Sequence, residues 1–105
     1  MVLVLSRADL DKVLTMRDTI SVLDAAFKEQ ARGSAVTPTR VSVSIPGNEG
    51  WMGVMPAYLG DLGALSTKIV TSFDRNPSKK LPTIMATVCL FDPTTGELIS
   101  IMEGK

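Results

Sequence analysis

At 105 residues with 45% hydrophobic side chains, the chain is long enough for one domain with a modest core and too apolar for a disordered segment. Eleven basic residues balance eleven acidic ones with no basic patch, so nucleic acid is not an expected partner. Histidine is absent, which removes the commonest general base, the commonest metal ligand and every Ser-His or Cys-His pair. No metal site is expected, and any chemistry must fall to Lys, Arg, carboxylates or a bound cofactor.

The opening "MVLVLSRADL" has no basic start and too short an apolar run for a signal peptide. No later run approaches the roughly 20 residues of a membrane span, so no membrane partner is expected. A single cysteine, Cys89, cannot form an internal disulfide, and a cytoplasmic location is expected. "VLVL" predicts a short strand. Ser6 then opens "SRADLDKVL" as a helix cap, with Asp9 three residues on, where negative charge suits the helix dipole. Thr15 and Asp18 repeat the device. They open a helix over about residues 16 to 32, with Ile20, Leu23, Ala26, Phe27 and Ala31 on its apolar stripe and Arg17, Asp24, Lys28 and Glu29 elsewhere on its surface. Gly33 is its expected stop.

After "GSAVTP" the pattern changes to alternation. "TRVSVSIPG" puts Val41, Val43 and Ile45 on one face and Arg40, Ser42 and Ser44 on the other. "NEG" is a turn, and "GWMGVMPAYL" reads as the returning strand, closed by Pro56. In "GALSTKIVTSF", Leu65, Thr67, Ile69, Thr71 and Phe73 share one face, and Ser66, Lys68, Val70 and Ser72 the other. "DRNPSKKLP" is a loop. "TIMATVCLFD" is apolar almost throughout and is expected to be buried on both faces. "DPTTGE" is a turn, and "LISIME" pairs back as the last strand. The expected fold is α+β: an N-terminal strand and helices, then a mostly antiparallel sheet of about five to six strands with helix covering one face. Residues 1–105 form a single domain segment in this reading.

Lys68 is the anomaly, because lysine is seldom buried in a strand without a partner. Arg40 belongs on the same polar face, among serines. An arginine fork and a lysine charge over one spot suit a carboxylate. The competing reading is an ordinary wet sheet face carrying two solvated cations. Met52, Met55 and Met85 fit core filling. No GxGxxG or Walker pattern is present, so no phosphate cradle is visible.

Taken in order, "LSRADLDKVL", "TPTRVSV", "MPAYLGDLGALSTKIVTSFDRNP" and "LPTIMATVCLFDPTTGELISIMEG" resemble the N-terminal part of the ornithine cyclodeaminase/mu-crystallin family, over nearly the whole chain. That family includes NAD(P)-dependent ornithine cyclodeaminases, alanine dehydrogenases and ketimine reductases. The resemblance implies that Arg40 and Lys68 hold the carboxylate of a small amino-acid or 2-oxo-acid ligand. It further implies that Lys68 can act catalytically in proton transfer, that Met55 lies beside the substrate, and that Thr83 contacts the nicotinamide cofactor, NAD or NADP. It also implies a homo-oligomer, dimeric or larger, in which the sheets of two subunits join.

Two departures qualify the match. Gly53 stands where ornithine cyclodeaminases carry a glutamate, which shifts weight toward the mu-crystallin or alanine-dehydrogenase branch. The family's dinucleotide-binding domain is absent from these 105 residues. The expectation is therefore the substrate-binding and dimerisation portion of such an enzyme, not binding the cofactor by itself, with a separate dinucleotide-binding chain as a possible partner. The alternative is a non-catalytic ligand-binding or structural dimer module.

Overall fold

The structure, a computed structural model, describes all 105 residues. Strand β1 (Leu3–Leu5) leads into helices α1 (Arg7–Val13) and α2 (Met16–Arg32). Strands β2 (Ala35–Val36), β3 (Val41–Ile45), β4 (Gly50–Leu59) and β5 (Ala64–Phe73) follow. A 3₁₀ turn (Asn76–Lys79) then precedes β6 (Ile84–Phe91) and β7 (Leu98–Glu103). The sheet runs β1-β7-β6-β5-β4-β2, with β3 also paired to β4. From β3 to β7 every pairing is antiparallel between sequence neighbours, and β1 joins β7 in parallel. This is the α+β layout expected from the alternation pattern. The two-residue β2 carries too few residues to show a pattern.

Both helix starts form as the sequence indicates. Ser6 accepts from the Asp9 N–H at 3.1 Å and donates its own N–H to the Asp9 carboxylate at 2.9 Å, a reciprocal capping box. Those bonds from Ser6, the backbone one foremost, hold the Asp9 carboxyl below its ordinary pKa. Thr15 accepts from Asp18 at 3.1 Å. Gly33 ends α2 with φ +83°, a left-handed cap that glycine adopts at no steric cost.

The helices flank the sheet and do not blanket a face. α1 meets β1 and β7, and α2 meets β2 and β4. Ile20, Leu23 and Phe27 on the apolar stripe of α2 therefore stay largely exposed. The most enclosed side chain of the helix is Glu29, fully buried, where the periodicity placed it on the outer surface. One Glu29 carboxylate oxygen accepts from the Leu62 N–H at 3.0 Å, tying the helix to the β4–β5 turn, and the other is buried without a partner. Arg32 and Ser34 reach Asp61 in the same turn at 2.8 and 3.3 Å. The Arg32 bond is the main cause that lowers the Asp61 pKa. Glu29→Ala removes this tie to the Leu62 N–H and is expected to cost about 1–3 kcal/mol, measured as a shift of the urea midpoint at unchanged m-value.

Three further expectations change. Pro56 does not close β4, which continues to Leu59. The β3 ladder ends at Val54 and the β2 ladder begins at Tyr58, so Pro56 falls in a gap where one side of the strand has no neighbour to receive an N–H. Strand β6 is not buried on both faces: Ile84 and Met85 are exposed and Ala86 is its one buried residue. The apolar face of β3 is open, with Val41 65% and Val43 57% exposed. The sheltered residues of the central strands are instead small ones on the Lys68 face: Gly53, Val70, Ser72 and Ala86. Larger neighbours shield them, as the Trp51 ring and the Arg40 stem do for Gly53.

Candidate functional site

The register assembles the site. Met55 pairs with Lys68, which pairs with Val88, so the three lie in one cross-strand row on one face. Val41 pairs with Val54, and Arg40, one residue before it, falls beside Met55 in the same row. Arg40 and Lys68 are thus two strand spacings apart, roughly 10 Å between backbones. Both side chains are long enough to reach the space above Met55. The next row on that face is Ser42, Gly53, Val70 and Ala86, and the one after it Ser44, Trp51, Ser72 and Ile84. Small side chains therefore floor the area beside the two cations.

Neither cation is neutralised. The ion pairs of the molecule are Arg7–Asp11, Lys28–Asp24, Arg32–Asp61 and Arg75–Glu49, all at exposed side chains. Lys68 is half-buried and has no carboxylate within ion-pair distance, which leaves its ammonium group available to an anion from outside. Arg40 is exposed, with its guanidinium carbon 5.4 Å from the centre of the Trp51 ring. Its side chain leans along the sheet, over Gly53, toward a groove of about 610 Å³ lined by Arg40, Ser42, Ser44, Glu49, Trp51 and Asp74. Lys68 does not line that groove. A second hollow, on the opposite face around Ile69, Thr71, Met85 and Thr87, contains neither of the two cations, nor Met55 or Thr83.

Thr83 stands apart from this row. It precedes β6, and its carbonyl accepts from the Phe73 N–H at 2.9 Å, five residues along β5 from Lys68. That is on the order of 15 Å along the strand. Trp51 was not among the residues singled out from the sequence. Its place two positions from Gly53 on the Arg40 face was the available signal.

A pyrophosphate is ordinarily held by free N–H groups at a helix N-terminus behind a glycine-rich turn. Here Ser6 and Thr15 each take up one N–H of the two helix starts, and neither start follows a glycine-rich turn. No group of three carboxylates, histidines or cysteines is placed to hold a metal ion, and no helix is long and apolar enough to cross a membrane.

Comparison with known proteins identifies the family and the fold. The family model described as the ornithine cyclodeaminase/mu-crystallin family matches residues 1–105. Ketimine reductase mu-crystallin of Rattus norvegicus is 38% identical over 81 residues, covering 77% of this chain and 26% of that protein. Alanine dehydrogenase of Archaeoglobus fulgidus is 32% identical over 102 residues, covering 97% of this chain and 30% of that protein. Among solved structures, Δ1-pyrroline-2-carboxylate reductase of Thermococcus litoralis, in complex with NADH and L-proline, superposes with a TM-score of 0.93 at 38% identity, covering 98% of this chain and 32% of that one. An archaeal alanine dehydrogenase dimer with bound NAD superposes at 0.88 with 31% identity, covering 97% and 31%. The chain thus spans about a quarter to a third of the length of the relatives it matches. With the family model matching from the first residue to the last, this chain belongs to the ornithine cyclodeaminase/mu-crystallin family, whose members named here are reductases and dehydrogenases of amino acids and imines.

Proposed function

We propose that this chain is the substrate-binding and dimerisation portion of an NAD(P)-dependent protein of its family, one that acts on a small amino acid, 2-oxo acid or imine. Arg40 and Lys68 grip the ligand carboxylate across Met55, and Lys68 also moves a proton at the reacting centre. Thr83 faces the cofactor when a dinucleotide-binding unit completes the protein. The observation that carries the reading is the single row Arg40–Met55–Lys68, in which both cations lack a counter-ion and one is half-buried. An arriving carboxylate would supply the missing charge with charge-assisted hydrogen bonds. Association through the sheet is proposed as well, since it would cover the open valines of β3 and the unpaired strand edge beside them.

The test is a titration with L-proline, L-alanine and pyruvate, followed by NMR. Arg40→Ala is expected to weaken carboxylate binding about tenfold or more, the loss of a hydrogen-bonded ion contact. Wild-type protein indifferent to all three compounds, or Arg40→Ala binding as well as wild type, would sink the carboxylate site. The capped helix starts favour a second reading, a ligand-binding module without a reaction of its own. In that case ligand binding persists, and the affinity is the same with and without NADH.

A further inference from the structure

Gly53 needs an explanation that its backbone does not give. Its φ is not in the left-handed region, so an ordinary residue would fit the chain path. Its surroundings are another matter. A Cβ added there would lie 2.8 Å from Trp51 Cζ3, 3.1 Å from Arg40 Cδ and 3.4 Å from Val70 Cγ1. Position 53 is therefore glycine for space, and the space is taken first by the indole edge and then by the arginine stem crossing toward it.

That crossing matters because of where Arg40 starts. It precedes the first paired residue of β3, is exposed, and has no carboxylate to hold it. An arginine so placed would sample many rotamers, and each would have to be surrendered when a ligand bound. Trp51 offers the one fixed partner, a ring face 5.4 Å from the guanidinium carbon. Stacking there leaves the in-plane N–H donors free, because a cation on an aromatic face does not spend its hydrogen bonds.

We propose that Trp51 is a positioning residue for Arg40, holding the guanidinium ready for a carboxylate while the indole and the arginine stem pack together over Gly53. The inference rests on the carboxylate-site reading above and assigns the group that prepares one of its two arms. Trp51 is the sole tryptophan of the chain, so its emission reports on the same event.

Two measurements separate the inference from the reading beneath it. The first needs no ligand. In wild-type protein the Arg40 side-chain protons are expected upfield of those of the other arginines, shifted by the indole ring, and to return to ordinary positions in Trp51→Leu and Gly53→Ala. Arg40 protons that resonate with the rest in wild type would overturn the positioning role. The second is the L-proline titration. Trp51→Leu and Gly53→Ala are expected to raise Kd about fivefold, while Trp51→Phe, which keeps a ring, recovers most of the loss. Should Trp51→Leu fail to fold, Trp51→Phe and Gly53→Ala carry the comparison. Arg40→Ala weakening L-proline while Trp51→Leu and Gly53→Ala leave it untouched would overturn the positioning role alone. Arg40→Ala without effect would overturn the carboxylate site itself, and the positioning of Arg40 for a carboxylate with it.

Discussion

Lys68→Met is expected to make the protein more stable and less able to bind. Lys68 sits half-buried on a strand between Met55 and Val88, with no counter-ion. Methionine has similar length and no charge to desolvate, so the folded state is expected to gain about 1 kcal/mol, seen as a higher urea midpoint. The same change removes one of the two cationic contacts proposed for the ligand carboxylate. Binding of L-proline or L-alanine is expected to weaken about 10- to 100-fold, the worth of a hydrogen bond to a charged group. Opposite signs in the two measurements are what a residue kept for function produces. A lysine that merely wets an exposed sheet face would give little change in either, and that outcome would favour the solvated-face reading.

The largest structural effect is expected at Gly50. A Cβ built there would overlap the Phe73 ring, which lies across from it at the paired position. The aromatic side chain covers the glycine backbone and would have to swing away to admit even a methyl group. Gly50→Ala is expected to cost roughly 1–3 kcal/mol and Gly50→Val more, as in other overpacked sites. A double-mutant cycle checks the cause. In a Phe73→Leu background the cost of Gly50→Ala should shrink by a large fraction, because the two residues no longer compete for one volume. An unchanged cost would locate the strain in the backbone instead.

Much of this arrangement could be read from the residues alone, for identifiable reasons. Caps are local chemistry, so Ser6, Thr15 and Gly33 announced their helix ends without help from tertiary structure. Strand alternation has a fixed period, so Arg40 and Lys68 could be assigned to one face before any register was known. What the pattern could not supply was burial. Glu29 reads as a surface carboxylate on an amphipathic helix, and only the fold brings the Leu62 N–H to it. Valines at alternate positions of β3 read as core, yet nothing in this chain lies over them. Pro56 looked like a terminator because the gap between two short neighbouring ladders is a tertiary fact. The Trp51–Arg40 contact escaped notice because it joins residues from two segments across a glycine, and spacing could place Trp51 on the Arg40 face without showing that the two side chains meet.

The parallel pairing of β1 with β7 knots together the two extremities of the polypeptide, Leu3 beside Ser100. Everything between residues 40 and 88 that bears on the ligand belongs to strands linked by hairpins or brief connections. Chain closure over nearly the full contour is entropically the most demanding step, and adjacent hairpins zip up sooner. The proposed carboxylate grip is therefore expected to be in working order while the first few residues are still loose, and clipping them should erode durability well before it touches recognition.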